Sequence, residues 1–183
     1  MSHRREYEIA FVGLKPGNHL FEYQIKDQFF VPYGAQDFKN CAATVKLNLE
    51  KNNGFMLLKF DVDGQLESSC DRCGDDLPLQ LWDEFKIIVK LVDEPDALNE
   101  REEDPDVFYI SRTESHLHVS DWIFEFINLS IPLQKKCKDL PNGTTGCNPS
   151  VLEKLEQMKR NANADTHTTV WKGLDQFKNL GKD

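Results

Sequence analysis

The stretch TVKLNLEKNNGFMLLKFDV, residues 44–62, predicts the best-defined local structure in the chain. Within 44–49 and again within 55–62, alternate residues on one face are apolar, which is the period of a β-strand with one buried face. Between the two runs, Asn53-Gly54 offers the positive φ angles that a tight hairpin turn requires. The stretch therefore predicts an antiparallel hairpin with one apolar and one polar face.

Further strands are predicted on both sides of this hairpin. Glu6–Leu14 alternates with a period of two and predicts a strand, whereas Leu20–Ile25 is short and ambiguous. Phe85–Val92 and Val107–Ile110 predict two more strands. Eight of the fourteen residues in Asp93–Asp106 are acidic and two are proline, so this segment predicts a solvated, mobile loop.

Helices are predicted only after these strands. Ser120 as an N-cap begins a mostly apolar helix, which should be buried and should end before Pro132. Asn148-Pro149 pairs a capping residue with proline at the first helical position, which begins a second helix. Residues 161–168 are polar without a pattern and predict a linker, and Val170–Leu180 predicts a short amphipathic helix.

Strands followed by helices favour an α+β fold. We expect an antiparallel β-sheet or partly closed barrel from the first two-thirds of the chain and helices in the C-terminal third. We also expect residues 1–160 to form a single α+β domain with a zinc knuckle. Residues 161–183 would then add the linker and the C-terminal helix.

Charge is divided unevenly along the 183 residues, whose net charge is −9. Residues 1–132 carry 13 basic and 25 acidic side chains, a balance of −12, and residues 133–183 carry 9 basic and 6 acidic, a balance of +3. RNA binding needs basic residues that neutralise phosphates, so only the C-terminal third is suited to contact RNA. No apolar run is long enough to span a bilayer, so we expect no membrane partner.

Five cysteines, an odd number, favour a reducing, cytoplasmic compartment in which cysteines are free, catalytic or metal-bound. Four of them form two pairs: Cys70 and Cys73 as C-x2-C, and Cys137 and Cys147 as C-x9-C. Zinc prefers four tetrahedral thiolate or imidazole ligands, and the intervening Pro/Gly-rich loop allows the second pair to close. The sequence thus predicts a four-cysteine structural zinc site joining the end of the strands to the start of the helices.

Two alternatives to zinc remain at this point. The four thiols would be unliganded or would form one disulfide, or Cys70 and Cys73 would be a redox pair. A redox pair should lie between a strand and a helix, and a turn follows Cys73 instead. Cys41 begins a strand and is predicted to be a small buried hydrophobe. His116 and His118 would share a face of an extended segment, and we interpret them as surface residues.

The order of several motifs resembles the YceD-type large ribosomal RNA subunit accumulation proteins. These motifs are SSCDRCGDDL (68–77), Trp82-Asp83-Glu84-Phe85, HLHVSDWIFEFINLSIPLQKKC (116–137) and Cys147-Asn148-Pro149. Their pattern is C-x-R-C, an aspartate-led helix, a Leu-Pro pair and a late cysteine pair; here Asp121 opens the helix and Ile131-Pro132 replaces Leu-Pro. The closing Trp171-Lys172-Gly173-Leu174 is similar to the family's Trp-containing tail.

The resemblance covers roughly residues 45–180. REYEIAFVGLKPGNHLFEYQI, residues 5–25, is similar to the version found in Bacteroidetes-type bacteria. Gly74 departs from the family, which usually has leucine after the second cysteine, and the linker at 161–168 is longer than typical.

The resemblance implies a bacterial cytosolic protein, not an enzyme, that is needed for accumulation of large-subunit ribosomal RNA. The acidic first part favours binding to a basic ribosomal protein or a large-subunit precursor, with RNA contact limited to the basic C-terminal third. Two other functions stay open on sequence alone. One is an enzyme of RNA metabolism whose site has no recognisable motif, and the other is a zinc-stabilised interaction domain unrelated to ribosomes.

Overall fold

The computed structural model of the chain describes residues 5–141 and 143–164. Their contacts divide them into two compact units. The first holds the described residues of Met1–Ser69 and Asp76–Lys135, and the second holds those of Cys70–Asp75 and Lys136–Asp183.

The first unit contains seven strands and three helices among its described residues. The strands are β1 (Glu8–Ile9), β2 (Gly17–Lys26), β3 (Phe38–Lys51), β4 (Phe55–Ser69), β5 (Asp76–Val92), β6 (Val107–Ser111) and β7 (Leu117–His118). The helices are α1 (Asp27–Phe30), α2 (Pro95–Asn99) and α3 (Ser120–Leu129), with short 3-10 turns at Arg5–Tyr7, Phe11–Gly13 and Val31–Tyr33. The second unit contains α4 (Pro149–Ala164).

Five strands form one sheet in the order β2-β3-β4-β5-β6, and β1 pairs with β7 in a separate two-stranded sheet. All neighbours in the large sheet are antiparallel except β5 and β6, which are parallel. The predicted α+β class is confirmed, with the sheet first and the long helices late. The sheet does not close into a barrel.

The predicted hairpin is present. Its strands β3 and β4 are both longer than the alternating runs 44–49 and 55–62 that predict them. β3 and β4 pair through Val45↔Val62, Leu47↔Phe60 and Leu49↔Leu58. Its turn differs from the expected one, because only Gly54 has a positive φ, at 87°.

Gly64, further along β4, allows a close approach to β3. A Cβ there would lie 2.5 Å from the Ala42 carbonyl oxygen, next to a register shift in β3. Glycine is therefore required where the two strand backbones approach this closely.

One face of the sheet forms the apolar core with α3. Alternate residues of β3 and β4 are buried, which is the half-buried strand pattern that the sequence shows. Phe126 of α3 stacks on Phe85 with ring centroids 4.3 Å apart and meets Phe60 edge-on at 5.0 Å. The prediction that this helix is buried is confirmed on the side that carries Ile123, Phe126 and Ile127.

The prediction of a strand over Glu6–Leu14 is wrong in its conformation. Only Glu8–Ile9 is extended, and a 3-10 turn lies on each side. The alternation still identifies the buried side chains, since Tyr7, Ile9 and Phe11 are all buried. Among the residues that the structure describes, this segment pairs with one strand, the two-residue β7, so only two of its residues are held in an extended conformation. By contrast, the ambiguous Leu20–Ile25 is part of the ten-residue β2.

The acidic segment Asp93–Asp106 is not a featureless loop. Pro95–Asn99 forms α2, and the Asn99 side chain exchanges two hydrogen bonds with the backbone of Tyr109, at 2.8 and 2.9 Å. The Tyr109 hydroxyl donates to Glu102 at 2.6 Å, so β6 anchors the segment.

Two helix ends also differ from the predictions. Ser120 is the first residue of α3 rather than its cap, and it makes no capping hydrogen bond. Residues 161–164, predicted as part of a linker, continue α4. The rest of that linker and the helix predicted at Val170–Leu180 lie outside the described residues, and the domain boundary at residue 160 stays a prediction. None of the described helices is long and apolar enough to cross a membrane.

Candidate metal centre

The first cysteine pair lies on the short turn between β4 and β5. The Cys70 N–H donates to the Asp75 carbonyl at 2.8 Å, and the Gly74 N–H donates to the Cys70 carbonyl at 2.8 Å. Gly74 has a φ of +78°, which side chains other than glycine rarely adopt. This turn geometry accounts for glycine where the family resemblance suggests leucine, and it places both thiols on the same side of the turn.

The second pair lies on a loop that folds back on itself, as the Pro/Gly-rich sequence predicts. Leu140 donates its N–H to the Thr144 carbonyl at 2.7 Å, and Asp139 and Thr145 form an antiparallel bridge. The Gly146 N–H donates to the Lys138 carbonyl at 3.2 Å. The two arms of this loop bring Cys147 beside Cys137.

Gly146 is required for this closure. A Cβ built on it would stand 2.5 Å from the Lys138 carbonyl oxygen, closer than real Cβ atoms come to a backbone atom. Thr145 adds a further constraint, because its hydroxyl accepts the Cys147 N–H at 3.3 Å. No sequence motif predicts these roles of Gly146 and Thr145. The one local indication is that a glycine directly precedes Cys147.

Four sulfur atoms meet where these two segments converge. Cys70 Sγ lies 3.9 Å from Cys147 Sγ, and Cys73 Sγ lies 3.7 Å from Cys137 Sγ. All four sulfurs lie within 4.8 Å of one another. A tetrahedral zinc site with Zn–S bonds of about 2.3 Å has S–S edges of about 3.8 Å, so the arrangement has the size of such a site.

The same distances exclude a disulfide in this structure. A disulfide needs its sulfurs about 2.05 Å apart, and all four cysteines are free thiols. Cys70, Cys73 and Cys147 are buried and Cys137 is half-buried. The structure thus brings together all four residues that the sequence predicts as ligands.

Within the cluster, the pKa of one thiol is lowered and that of another is raised, so one cysteine ionises readily and a second does not. Burial acts to raise the pKa of the Cys70 thiol, but hydrogen bonds from the backbone N–H groups of Cys73, Arg72 and Cys137 outweigh it and lower that pKa to about 6. The neighbouring Cys70 thiol, followed by partial desolvation, raises the pKa of Cys137 to about 12. Four thiolates together therefore need a cation, and thiolate is the form that binds metal.

Basic residues adjoin the ligands in sequence: Arg72 lies between the first pair, and Lys136 and Lys138 flank Cys137. A divalent ion with four thiolates has a net charge of −2, which neighbouring cations stabilise.

The remaining candidates lie elsewhere. Cys41 is buried in the core of the first unit, as predicted, and burial followed by the nearby Asp27 charge raises its pKa to about 11. His116 Nδ1 lies 2.8 Å from the Ser115 hydroxyl, and His118 Nδ1 lies 3.6 Å from Glu8. Within residues 5–141 and 143–164, the four cysteines are the group of three or more His, Cys, Asp or Glu side chains placed to share a metal ion.

Comparison with protein families identifies a family whose model matches most of the chain. The model of the family described as "Large ribosomal RNA subunit accumulation protein YceD" matches residues 58–178, a range that contains all four clustered cysteines. No curated protein and no solved structure matches the chain.

Proposed function

The chain belongs to the YceD family of large ribosomal RNA subunit accumulation proteins, and we propose that it is a non-enzymatic factor in large-subunit biogenesis in the bacterial cytoplasm. It acts by binding a ribosomal protein or a large-subunit precursor. The family match over residues 58–178 is the observation that carries the proposal.

The four-cysteine cluster is a structural zinc centre in this proposal. Four thiolates fill the tetrahedral coordination of zinc, whereas catalytic zinc sites keep one position for water or substrate. With Cys70, Cys73, Cys137 and Cys147 all bound, the ion has no open position for chemistry. The donor set therefore supports a centre that stabilises the fold, which agrees with a non-enzymatic function.

Charge supports a protein as the main partner. Residues 1–132 have a balance of −12, which repels RNA and attracts the basic proteins that coat it. Contact with RNA is confined to the basic C-terminal third, where Lys135, Lys136 and Lys138 lie close in sequence to Cys137.

Deletion of the gene tests the function directly. We expect the ratio of large- to small-subunit ribosomal RNA to fall and to recover with the wild-type chain. A variant with both Cys70→Ser and Cys137→Ser should not restore it, whereas Cys41→Ser, a matched change in the first unit, should. An unchanged ratio in the deletion strain would contradict the proposed function.

Affinity capture separates protein from RNA as the partner. We expect basic ribosomal proteins to remain bound after nuclease treatment. Neutralising several carboxylates in residues 93–106 should slow association and weaken its dependence on salt, because exposed charges act over about 8 Å at physiological salt. If RNA were the partner, the same variant would bind more tightly, and loss of Lys135, Lys136 and Lys138 would reduce the salt dependence instead.

A further inference from the structure

The outer edge of β5 between Gln80 and Lys86 has no neighbouring strand in the part of the chain that the structure describes. β4 pairs with the inner side of β5 from Asp76 to Lys90, whereas β6 pairs with the outer side only from Ile88 to Val92. An open edge exposes backbone N–H and C=O groups that can pair with another strand.

Two hydrogen bonds identify which residues direct their backbone groups toward this edge. The Leu91 N–H donates to Gly54 at 2.9 Å on the β4 side, and the Ile88 N–H donates to Asp106 at 2.8 Å on the other side. The register between β4 and β5 has no shift, and the direction alternates along an antiparallel strand. The outward residues are therefore the even-numbered ones: Pro78, Gln80, Trp82, Glu84 and Lys86.

Part of this edge is already closed to pairing. Pro78 has no N–H, and the Glu84 N–H donates to the side chain of Asp83 at 2.9 Å. The ladder with β4 uses odd-numbered residues, and no turn or loop hydrogen bond among residues 5–141 and 143–164 uses the N–H groups of Gln80, Trp82 and Lys86. These three donors remain available for an added strand.

Trp82 marks the solvent-facing side of the sheet beside this edge. Its side chain is 76% exposed, so the indole ring is accessible to a partner. Asp63 lies directly opposite Trp82 on β4, and Asp61 lies opposite Glu84. Two carboxylates facing each other destabilise a sheet unless a positive charge joins them.

No salt bridge engages Asp61, Asp63 or Glu84 in the portion of the chain described by the structure. One pair further along, Lys59 faces Lys86. On its other side, Asp61 lies opposite Lys46 of β3, so the negative charge nearest the open edge is that of Asp63 and Glu84, where a partner's positive side chain would fit.

We propose that the β5 edge from Gln80 to Lys86 binds an extended, arginine- or lysine-bearing segment of a basic protein as an additional β-strand. Backbone hydrogen bonds give such a segment its affinity, and alternate side chains give specificity. A partner cation over the Trp82 ring would lie beside Asp63 and Glu84, which joins a cation–π contact to charge pairing. The inference rests on the proposed function for its choice of a ribosomal protein as the source of this segment.

The probe for this site is a fluorescent peptide of about ten residues that alternates arginine and threonine, which is at the upper end of common strand lengths. We expect it to bind the full-length protein, and we expect a glutamate–threonine peptide of the same length not to bind. A third peptide carries N-methyl groups on alternate backbone amides, which removes the hydrogen bonds but keeps the charge. It should bind at least about tenfold more weakly, since several hydrogen bonds are lost together.

Two protein variants locate the site. Trp82→Thr, which keeps a β-forming residue, should weaken binding about fivefold through loss of the cation–π contact. Gln80→Pro removes an outward N–H at the same kind of position as Pro78 and should weaken binding by about as much. Leu20→Thr is the control, because Leu20 is 80% exposed on the opposite edge strand β2 and should change binding by less than about twofold. Circular dichroism checks that each variant is folded.

Several outcomes would overturn the inference. One is equal binding of the N-methylated peptide, which means that charge alone attracts the probe. Another is tighter binding of single-stranded RNA than of the peptide at the same salt. A third is self-association that Trp82→Thr abolishes, which assigns the edge to a second copy of the chain.

Ribosomal RNA measurements separate this inference from the proposed function. If Trp82→Thr and Gln80→Pro lose the peptide but restore ribosomal RNA in the deletion strain, the edge is not the functional site and the inference fails. If the deletion leaves ribosomal RNA unchanged while the peptide binds as expected, the proposed function fails and the binding site stands.

Discussion

The two units of the chain are stabilised in different ways. The first buries a continuous apolar cluster that runs from Tyr7 to Ile127. In the described part of the second, the buried side chains are Cys70, Cys73 and Cys147. A unit this small without an apolar core generally depends on a metal or a disulfide. The difference indicates that the cluster of thiols takes the place of a core.

The largest effect should come from breaking the metal centre. Cys70→Ser and Cys137→Ser each remove one of the four proposed ligands, and the apparent free energy of structural zinc binding is on the order of 10 kcal/mol. Each variant should lose protection from hydrogen exchange in residues 70–75 and 136–147, while the β3–β4 hairpin keeps its protection. Cys41→Ser should leave zinc content unchanged. Intact protection of both segments in Cys137→Ser would mean that the second unit does not need the metal.

The reverse experiment acts on the first unit alone. Phe126 is buried between Phe60 and Phe85, so Phe126→Ala leaves a cavity and should lower the free energy of unfolding by about 3–5 kcal/mol. Urea denaturation followed by circular dichroism measures this change. The zinc content per folded chain should stay the same. If Phe126→Ala moved the loss of zinc to lower urea together with the unfolding of the sheet, the two units would not be independent.

A smaller effect is expected from the loop that closes the metal site. Gly146→Ala places a Cβ 2.5 Å from the Lys138 carbonyl oxygen, and relief of such overpacking typically costs about 1–3 kcal/mol. We expect weaker zinc binding in competition with a chelator of known affinity. Gly13→Ala is the matched control, because no atom lies within 4 Å of its added Cβ. Equal zinc affinity in Gly146→Ala and Gly13→Ala would mean that the loop can shift to make room for the added Cβ without disturbing the cysteines.

The smallest effect concerns an exposed ion pair of the first unit. Lys39 and Asp76 are 3.0 Å apart, but their side chains are 55% and 68% exposed. Exposed pairs of this kind are screened by solvent and contribute little to stability, so Asp76→Asn should change the denaturation midpoint only slightly. Asp76 directly follows the Cys70–Asp75 turn. A large loss of zinc in Asp76→Asn would therefore contradict the claim that the metal centre is stabilised independently of the first unit.

The sequence predicts the central hairpin because Asn53-Gly54 and the alternation around it are local signals. It predicts the cysteine cluster for a similar reason. Each cysteine pair is close in sequence, and the only further requirement is that the turn at 70–73 contacts the loop at 137–147. It fails at Glu6–Leu14, where alternation identifies the buried side chains but pairing with the two-residue β7 decides the conformation. The parallel pairing of β6 and the open edge of β5 also depend on contacts between distant segments, which no local pattern contains.

Metal analysis of the full-length protein tests the central claim most directly. Protein purified without chelator should contain about one zinc per chain by native mass spectrometry, and the Cys70→Ser and Cys137→Ser variants should contain far less. Cys41→Ser should retain the wild-type amount. Wild-type protein that contains no metal, takes up none from added zinc and still protects residues 70–75 and 136–147 from hydrogen exchange would contradict the account.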